Sequence, residues 1–355
     1  MNPAETALDI SVIVPARNEE ASLGACLQSL VSQAGVSFEI IVVDDGSTDR
    51  TRAIAQSFPG VRVVEPGPLQ AGWSGKNNAV MAGAAVARGK WLLFTDADTV
   101  HRPNSLASGL NEAETHKVDL LSYSPEQEVR GFWEKAVMPV IFAELASTFR
   151  MSEVSDPASP VAAANGQYIL ILREGYDAVG GHATVATSLL EDVALARAVK
   201  RSGRRIFFRY GGDVLRTRMY RNFGQLREGW TKNLALLFPS PLRLALLRIT
   251  EFLLITASAL IALAAAVFGQ ISLALIAAIV ALGLATFLLA RIRRAHFSWG
   301  ATGLSLLGLP VFSYLLLRSW LFYKKGRVEW KGRVYNSHKQ HEANPVAHCT
   351  PVPQI

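Results

Sequence analysis

The sequence predicts an α/β fold with a mostly parallel sheet, followed by C-terminal transmembrane helices. Within residues 10–100, short apolar runs alternate with segments of helical periodicity, a pattern typical of parallel strands joined by crossover helices. Further along the chain, two apolar runs of 20 residues are each long enough to span a bilayer. The composition agrees, because 50% of the 355 residues are hydrophobic and the mean hydropathy is positive, which is unusual for a wholly soluble protein.

Four buried strands are predicted in the first part of the chain, each an apolar run bounded by turn residues or by a helix. The first strand ends at Pro15, and apolar residues at helical spacing follow it. The second strand ends in Asp44 and Asp45, after which Ser47 or Thr48 can cap the next helix. The predicted elements are, in order, strand 10–14, helix 19–32, strand 38–43, a helix through Ile54 and Ala55, strand 61–64, helix 76–87 and strand 91–94.

Two acids follow the fourth strand, which delivers Asp96 and Asp98 at its carboxyl end. Two carboxylates one residue apart can flank a hard divalent cation such as Mg²⁺ or Mn²⁺. Such an ion takes one or two protein carboxylates and completes its shell with water and substrate phosphates. The pair therefore predicts a divalent-cation site that serves a diphosphate ligand. An ordinary turn after a strand is the alternative, because Asp is a common turn residue.

Polar residues also follow the first and second strands. The carboxyl ends of parallel strands meet at one edge of a sheet, which is where ligands of such folds bind. We therefore expect a substrate site at this edge. The candidate substrate-binding residues after these two strands are Pro15, Arg17, Asn18, Glu19, Asp44 and Asp45. A dinucleotide cofactor is not expected, because no G-x-G-x-x-G sequence follows the first strand.

The charge distribution and the cysteines restrict the classes of partner. From Arg291 onward the chain has ten Lys or Arg and two Glu, so the net charge of +7 belongs to the C-terminal part. This distribution argues against nucleic-acid binding by the N-terminal part and for contact of the C-terminal part with anionic lipid headgroups. Cys26 and Cys349 lie far apart in the sequence and form no CxxC or Cys/His cluster. Neither a disulfide framework nor a zinc site is predicted, and a reducing compartment fits.

Five segments of the chain, taken together and in order, resemble the family-2 inverting glycosyltransferases. They are VIVPARNE at 12–19, VVDDGSTD at 42–49, GKNNA at 75–79, DAD at 96–98 and ED at 191–192. The resemblance covers roughly residues 10–235. It implies a GT-A fold that binds a nucleotide sugar, a metal at the Asp96 and Asp98 pair, and a catalytic base from the Glu191 and Asp192 pair.

Glu191 and Asp192 lie at the start of a predicted helix. An inverting transfer needs a carboxylate that takes the proton from the acceptor hydroxyl as the hydroxyl oxygen attacks the anomeric carbon. We assign Asp192 as this base and expect Glu191 to assist it or to bind the acceptor. The alternative is a structural role, because the helix dipole favours acids in a first turn. Lys76, at the start of the 76–87 helix, is expected to meet the nucleobase or the phosphates of the donor.

Two later segments carry further substrate-binding candidates. Asn165 and Gln167 flank Gly166 before an apolar strand. In the family such a segment faces the acceptor, whereas a tight turn built on Asn-Gly is an equal alternative. Arg227 and Trp230 lie in a sequence similar to the Q-x-x-R-W element of polysaccharide synthases, from which it departs in spacing. Cations in that segment can neutralise a departing diphosphate or contact lipid headgroups, and the sequence leaves both open.

The predicted domains are a GT-A domain at 1–235, a membrane domain at 236–323 and a basic, partly disordered tail at 324–355. Residues 249–268 and 271–290 are predicted to form a helical hairpin whose basic return end stays on the cytoplasmic side with the catalytic domain. A third apolar run at 299–318 is predicted as either a span or a re-entrant or interfacial segment, because a full span would place the basic tail outside. A multi-pass protein of the plasma or inner membrane is expected.

These features predict a membrane-bound enzyme that moves a sugar from a nucleotide diphosphate donor, such as a UDP-hexose, to the hydroxyl or carboxyl of a membrane lipid. The stretches at 165–168, 191–196 and 330–333 also resemble glycosyltransferases of carotenoid, hopanoid and other glycolipid pathways. Two alternatives remain open, a processive polysaccharide synthase and a non-catalytic membrane protein that binds nucleotide sugars. Neither a nucleic-acid partner nor a protein partner is predicted.

Overall fold

The computed structural model describes residues 8–325 and the backbone of residues 327–330 and 333–336. Residues 337–355 of the tail that is predicted to be partly disordered lie outside the described residues.

The chain divides into two compact units. Within the described residues, the first comprises 8–128 and 149–219, and the second comprises 129–148 and the chain from 220 onward. This division differs from the predicted boundary at 235, because two helices that begin before this boundary pack with the apolar helices of the second unit.

Strands alternate with helices through the first unit, and long helices make up most of the second. The elements of the described chain, in order, are β1 Ile10–Ala16, α1 Leu23–Val31, β2 Phe38–Asp44, α2 Thr51–Gln56, β3 Val61–Val64, α3 Gly75–Val86, β4 Trp91–Phe94, β5 Thr99–His101, α4 Ser105–His116, β6 Leu120–Ser124, β7 Glu126–Gln127, α5 Phe132–Thr148, α6 Met151–Ser155, β8 Ile169–Leu172, α7 Arg173–Ala178, α8 Gly181–Thr184, α9 Glu191–Arg201, β9 Ile206–Tyr210, β10 Leu215–Thr217, α10 Phe223–Leu237, α11 Pro241–Val267, α12 Ile271–Arg293, α13 Trp299–Lys324, β11 Arg327–Trp330 and β12 Arg333–Asn336.

A seven-stranded sheet forms the centre of the first unit, with the strand order β3-β2-β1-β4-β8-β6-β9. Neighbouring strands are parallel except that β8 runs antiparallel to both β4 and β6. Ile13 lies opposite Phe94 and Ala16 lies opposite Asp44, so the carboxyl ends of β1, β2 and β4 meet at one edge. The mostly parallel α/β sheet confirms the predicted fold class.

A small sheet, ordered β5-β10-β7, begins where β4 of the large sheet ends. Residues 95–98 connect β4 with β5, and Thr217 of β10 lies opposite Thr99 of β5. Asp96 and Asp98 therefore lie where the chain passes from one sheet to the other. The strands of the small sheet have only two or three residues each, too few to leave a periodic pattern in the sequence.

Helices cover both faces of the large sheet, as expected for parallel strands. Side chains of β1 alternate between two cores, with Val12 and Val14 in one and Ile13 in the other. α3 approaches the sheet closely at Gly83, since a Cβ at that position would lie 2.5 Å from Cγ2 of Ile13. This contact sets the position of α3, whose first turn carries Lys76.

The second unit contains α5, α10 and three helices, α11, α12 and α13, that are long and apolar enough to cross a membrane. α11 and α12 follow one another with residues 268–270 between them, as the predicted hairpin requires. Large apolar side chains on and between these two helices are exposed, among them Leu263 at 64% and Phe268 at 79%. Exposed apolar surface of this extent is typical of helices that contact lipid.

Candidate active site

The amino-terminal end of α3 is fixed by polar side chains. The Ser74 hydroxyl accepts a hydrogen bond from the Asn77 N–H at 3.0 Å and so caps the helix. The buried Asn77 amide donates to three carbonyls of residues 185–188 at distances of 2.9 to 3.1 Å. These bonds hold the start of α3 against the segment that leads into α9. They bring Lys76 and Glu191 together, a positioning role of Asn77 that its place in the sequence does not reveal.

Lys76 forms the centre of a charged cluster. Its ammonium group lies 2.8 Å from Oδ1 of Asp96 and 2.8 Å from Oε1 of Glu191. The three side chains are 36%, 29% and 11% exposed, so a ligand could reach the cluster. Burial disfavours the charged form of Lys76, but the two carboxylates outweigh it and raise the lysine pKa well above its ordinary value. Lys76 is therefore a permanent cation between the two predicted acidic sites.

Asp192 lies beside this cluster in the first turn of α9. Its Oδ2 accepts a hydrogen bond from the Gly166 N–H at 3.0 Å, and its Oδ1 accepts one from the Val193 N–H at 2.8 Å. Burial and then the negative charge of Glu191 raise the pKa of Asp192 to about 6, against the opposing effects of Lys76 and the two N–H donors. A carboxylate with a pKa close to neutrality is suited to general base catalysis.

Gly166 lies close to the Lys76 ammonium and to the Asp192 carboxylate. A Cβ at this position would lie 3.0 Å from Lys76 Nζ and 3.5 Å from Asp192 Oδ2. A glycine lets the backbone N–H reach Asp192 while the lysine keeps its place. The Asn-Gly sequence predicts a turn here, but no local pattern predicts this contact with α9.

Asp96 and Asp98 lie at the carboxyl end of β4, where the sequence predicts them. Two buried hydroxyls fix the loop between the sheets. Thr99 Oγ1 donates to the Asp96 carbonyl at 2.7 Å, and Thr217 Oγ1 donates to the Asp98 carbonyl at 3.1 Å. Among the residues that the structure describes, no group of three or more His, Cys, Asp or Glu side chains could hold a metal by itself.

The oxygen donors of Asp96 and Asp98 nevertheless fit a cation that is shared with a diphosphate. Mg²⁺ in such sites takes one or two protein carboxylates, and water and phosphate oxygens complete the shell. The site also accommodates a positive charge already, since the Lys76 ammonium contacts Asp96. These two acids could therefore hold Mg²⁺ or Mn²⁺ together with a bound diphosphate.

The loops that follow β1 and β2 interlock at the same edge. Arg17 Nη1 donates to the Asp45 carbonyl at 2.6 Å, and Asn18 Oδ1 accepts from a backbone N–H of the second loop at 2.8 Å. The Glu19 N–H donates to Thr51 Oγ1 at 2.7 Å. The structure thus brings four predicted substrate-binding residues of these loops together.

Asp44 and Pro15 also lie at this edge, and their contact with a substrate stays a prediction. Asp44 is 4% exposed, and its Oδ1 accepts a hydrogen bond from the Ser47 N–H at 3.1 Å. Its carboxylate closes the turn after β2 and is buried, whereas the neighbouring Asp45 is more accessible. Pro15 lies within β1, half-buried, and its ring offers no polar atom to a substrate.

Residues 165–167 form a tight turn, which is the alternative that the Asn-Gly sequence offered. Asn165 Oδ1 accepts a hydrogen bond from the Gln167 N–H at 3.0 Å. Gln167 is 4% exposed, and its amide donates to Thr217 Oγ1 at 3.3 Å, so its side chain supports the loop. Contact of Gln167 with a substrate stays a prediction. The turn presents the Gly166 N–H to Asp192.

Arg227 and Trp230 lie on α10 in the second unit. Trp230 is 3% exposed, its ring packs at 6.0 Å from that of Phe142, and its indole Nε1 lies 3.3 Å from Met138 Sδ. This burial assigns the Trp230 ring to the interior of the unit, and its contact with a substrate stays a prediction. Arg227 is exposed.

Comparison with known proteins bears on both the fold and the activity. Residues 11–172 match the family model described as Glycosyl transferase family 2. The chain is 28% identical over 342 residues to the 4,4'-diaponeurosporenoate glycosyltransferase of Staphylococcus aureus strain USA300, with 93% of this chain and 89% of the relative covered. The mannosyltransferase PcManGT of Pyrobaculum calidifontis, solved in complex with GDP-Man and Mn²⁺, is similar in structure with a TM-score of 0.51 at 18% identity, covering 90% of each chain. The structural likeness supports the GT-A fold.

Proposed function

We propose that this chain, whose residues 11–172 match the family model described as Glycosyl transferase family 2, transfers a hexose from a UDP-hexose to a membrane lipid with inversion at the anomeric carbon. The cluster of Lys76, Asp96, Glu191 and Asp192 at the carboxyl edge of the sheet carries the proposal. It combines a permanent cation, a possible metal ligand and a carboxylate suited to act as a base. The apolar helices α11 and α12 support a lipid as the acceptor.

Asp192 is the base of the proposed reaction. The acceptor oxygen attacks the anomeric carbon as the bond from that carbon to the diphosphate oxygen breaks, and the electron pair of this bond leaves with UDP. The proton of an acceptor hydroxyl passes to a carboxylate oxygen of Asp192. The Gly166 N–H, at 3.0 Å from Oδ2, orients this carboxylate. Because attack and departure occur on opposite faces of the sugar, the configuration inverts.

Asp96 and Asp98 are the residues that would hold the divalent cation. A bound Mg²⁺ or Mn²⁺ would supply positive charge to the diphosphate as its bond to the sugar breaks. Lys76 contacts Asp96 and Glu191. We expect its ammonium group to meet the donor phosphates in the complex, where it would add to the same stabilisation.

The name of the Staphylococcus aureus relative supports an acceptor similar to diaponeurosporenoate for this chain. If the attacking group of such an acceptor is its carboxylate, that group is already ionised, so the base role of Asp192 applies to an acceptor that attacks through a hydroxyl. The basic segment that begins at Arg291, at the end of α12, supports a cytoplasmic location of the first unit.

Transfer is expected to rise as the pH increases through about 6, the pKa of Asp192, and to level off at higher pH. Below this pKa the carboxyl group is protonated and cannot take the acceptor proton, whereas above it the carboxylate form predominates. Because the charge of Glu191 raises this pKa, Glu191→Gln is expected to shift the acidic limb of the profile to lower pH. The measurement is kcat/KM against pH for both proteins. A flat profile from roughly pH 5 to 7 would exclude Asp192 as a titrating base.

Gly166→Ala is expected to slow transfer by roughly 10- to 100-fold, since catalytic groups tolerate little misplacement. The added methyl group would lie 3.0 Å from the Lys76 ammonium and would displace it from its place between Asp96 and Glu191. Gly67→Ala is the matched control, because no atom lies within 4 Å of a Cβ at that position. Rates and thermal unfolding of both variants are compared. Equal activities of the two variants would contradict the assigned role of Gly166.

The donor and acceptor classes are tested on membranes that contain the protein. The membranes are incubated with a panel of radiolabelled nucleotide sugars and then extracted with organic solvent. Label from a UDP-hexose is expected in the organic phase with wild type and at background with Asp192→Asn. Label found only in an insoluble polymer would favour a processive synthase, and no incorporation from any donor would contradict sugar transfer to a lipid.

A further inference from the structure

We propose that α13 is not a third membrane span but an interfacial helix, which lies with α5 and α10 in the headgroup layer on the side where α11 enters the bilayer. The three long helices differ in burial. In the most apolar 18-residue window of each helix, 11% is buried in α11 and in α12, whereas 50% is buried in α13. α11 and α12 thus present their apolar surface to lipid, while α13 is packed against protein. This inference does not depend on the proposed reaction.

A network of ion pairs marks the level at which the hairpin enters the bilayer. Glu251 Oε2 lies 2.7 Å from Arg248 Nη1 and 2.8 Å from Arg291 Nη2, and Glu144 Oε1 of α5 lies 3.0 Å from Arg248 Nε. Arg248 and Glu251 are near the start of α11, and Arg291 is near the end of α12. Charges are costly within hydrocarbon, so we place this network at the membrane boundary.

The apolar part of α11 that follows Glu251 is long enough to cross the bilayer. Residues 252–268 extend roughly 25 Å as a helix, close to the thickness of the hydrocarbon layer. α12 returns across the same distance and ends with Arg291 at the level of the network.

From its first residue onward, α13 makes its contacts on the side of this network where α11 enters the bilayer. At its start, the Trp299 ring lies under the guanidinium group of Arg293, 4.1 Å from the ring centroid. In its middle, Ser313 Oγ donates to the Ala245 carbonyl at 3.0 Å. Ala245 precedes the charged residues of α11, so the middle of α13 has not passed the boundary.

The end of α13 contacts α10, the helix that precedes α11. Ser319 Oγ accepts a hydrogen bond from the Ala235 N–H at 2.9 Å, and the Tyr323 hydroxyl donates to the Lys232 carbonyl at 2.7 Å. A spanning helix of 26 residues would instead place its two ends about 39 Å apart along the membrane normal. The start and end of α13 therefore both lie on the side where α11 begins.

The side chains around this layer match an anionic membrane surface. Phe132 and Trp133 at the start of α5 are 50% and 42% exposed, and Trp299 is 71% exposed. The amphipathic rings of the two tryptophans favour the headgroup region. Exposed basic residues of the same unit include Arg227 and Lys325. Aromatic and basic side chains together are typical of helices that lie on anionic lipid.

The proposal predicts that the chain crosses the bilayer twice, so that both of its ends stay on one side. Three single-cysteine variants test it: Ala25→Cys in the first unit, Gln270→Cys between α11 and α12, and Lys325→Cys after α13. Each is made in the full chain with Cys349→Ser, and Cys26 is buried. A membrane-impermeant maleimide is applied to intact cells and to inverted membrane vesicles.

Ala25→Cys and Lys325→Cys are expected to react in inverted vesicles and not in intact cells, and Gln270→Cys is expected to do the opposite. Labelling of Lys325→Cys from the side that labels Gln270→Cys would overturn the proposal.

A second measurement does not rely on cysteines. Green fluorescent protein fused after residue 355 is expected to fluoresce and alkaline phosphatase at the same position to be inactive, whereas an active phosphatase would overturn the proposal.

Discussion

Asp192→Asn is expected to slow sugar transfer by roughly 10²- to 10⁴-fold and to leave the affinity for the nucleotide donor near that of wild type. Asparagine keeps the size of the side chain and can still accept the hydrogen bond from the Gly166 N–H. It cannot accept the proton of an attacking hydroxyl. The loss therefore falls on the chemical step and not on donor binding.

Transfer rates and donor affinity by calorimetry are measured side by side for this variant and for Glu191→Gln. The second substitution is expected to do less damage, because Glu191 assists through its charge and its contact with Lys76. If both acids only stabilised the first turn of α9, each neutral substitution would cost about 0.3–1 kcal/mol of stability and change the rate little. An Asp192→Asn enzyme within a few-fold of wild type would remove Asp192 from the mechanism as a base.

The size of this loss also reports on the acceptor. A hydroxyl group keeps its proton at neutral pH and needs a base, whereas a carboxyl group is already ionised. Rapid transfer to a lipid carboxylate by Asp192→Asn would therefore identify an acceptor that needs no deprotonation. A large loss with a hydroxyl acceptor would support the assigned role of Asp192.

Asp96→Asn and Asp98→Asn are each expected to abolish detectable transfer in a protein that remains folded and membrane-inserted. Each substitution removes a carboxylate ligand of the proposed cation from the end of β4. EDTA should have the same effect on wild type, and added Mg²⁺ or Mn²⁺ should restore activity to wild type only. Full activity of wild type in EDTA would contradict the metal assignment.

Binding of Mn²⁺ in the presence of UDP, followed by electron paramagnetic resonance, separates loss of the metal from loss of the fold. Both variants are expected to bind Mn²⁺ more weakly than wild type. Asp177→Asn is the matched control, since it neutralises an exposed acid of α7 in the same unit. Asp96→Asn also releases Lys76 from one of its two partners, so Asp98→Asn is the cleaner test of the metal alone.

The large parallel sheet could be predicted because its strands are buried on both faces and form continuous apolar runs. β1, β2, β3 and β4 lie close to the predicted strands at 10–14, 38–43, 61–64 and 91–94. The small sheet could not be predicted in this way. Its strands are short, and pairs such as Thr99 with Thr217 join segments that are distant in the chain.

The candidate site was only partly predictable for a similar reason. Strand-end position alone predicts that Asp96 lies at the carboxyl edge of the sheet. The contact of Lys76 with Glu191 depends on how α3 packs against the segment before α9, which the buried Asn77 amide fixes. Gln167 is a polar residue of a kind common in exposed loops, but a tertiary hydrogen bond to Thr217 holds its side chain in the interior.

Composition also fails to separate α13 from the two other apolar helices. All three have the length and hydropathy of membrane spans. What distinguishes α13 is its partners, since Ser313 and Ser319 bond to backbone groups of α11 and α10. Small polar residues in an apolar run predict neither the partner nor the side of the membrane.

The structure of the product tests single, inverting sugar transfer to a lipid most directly. Purified protein in lipid is given a UDP-α-hexose and an extract of membrane lipids, and the product is analysed by mass spectrometry and NMR. One added hexose in the β configuration on a lipid is the predicted result. An α-linked product, a series of products with increasing numbers of hexoses, or hexose released only to water would contradict it.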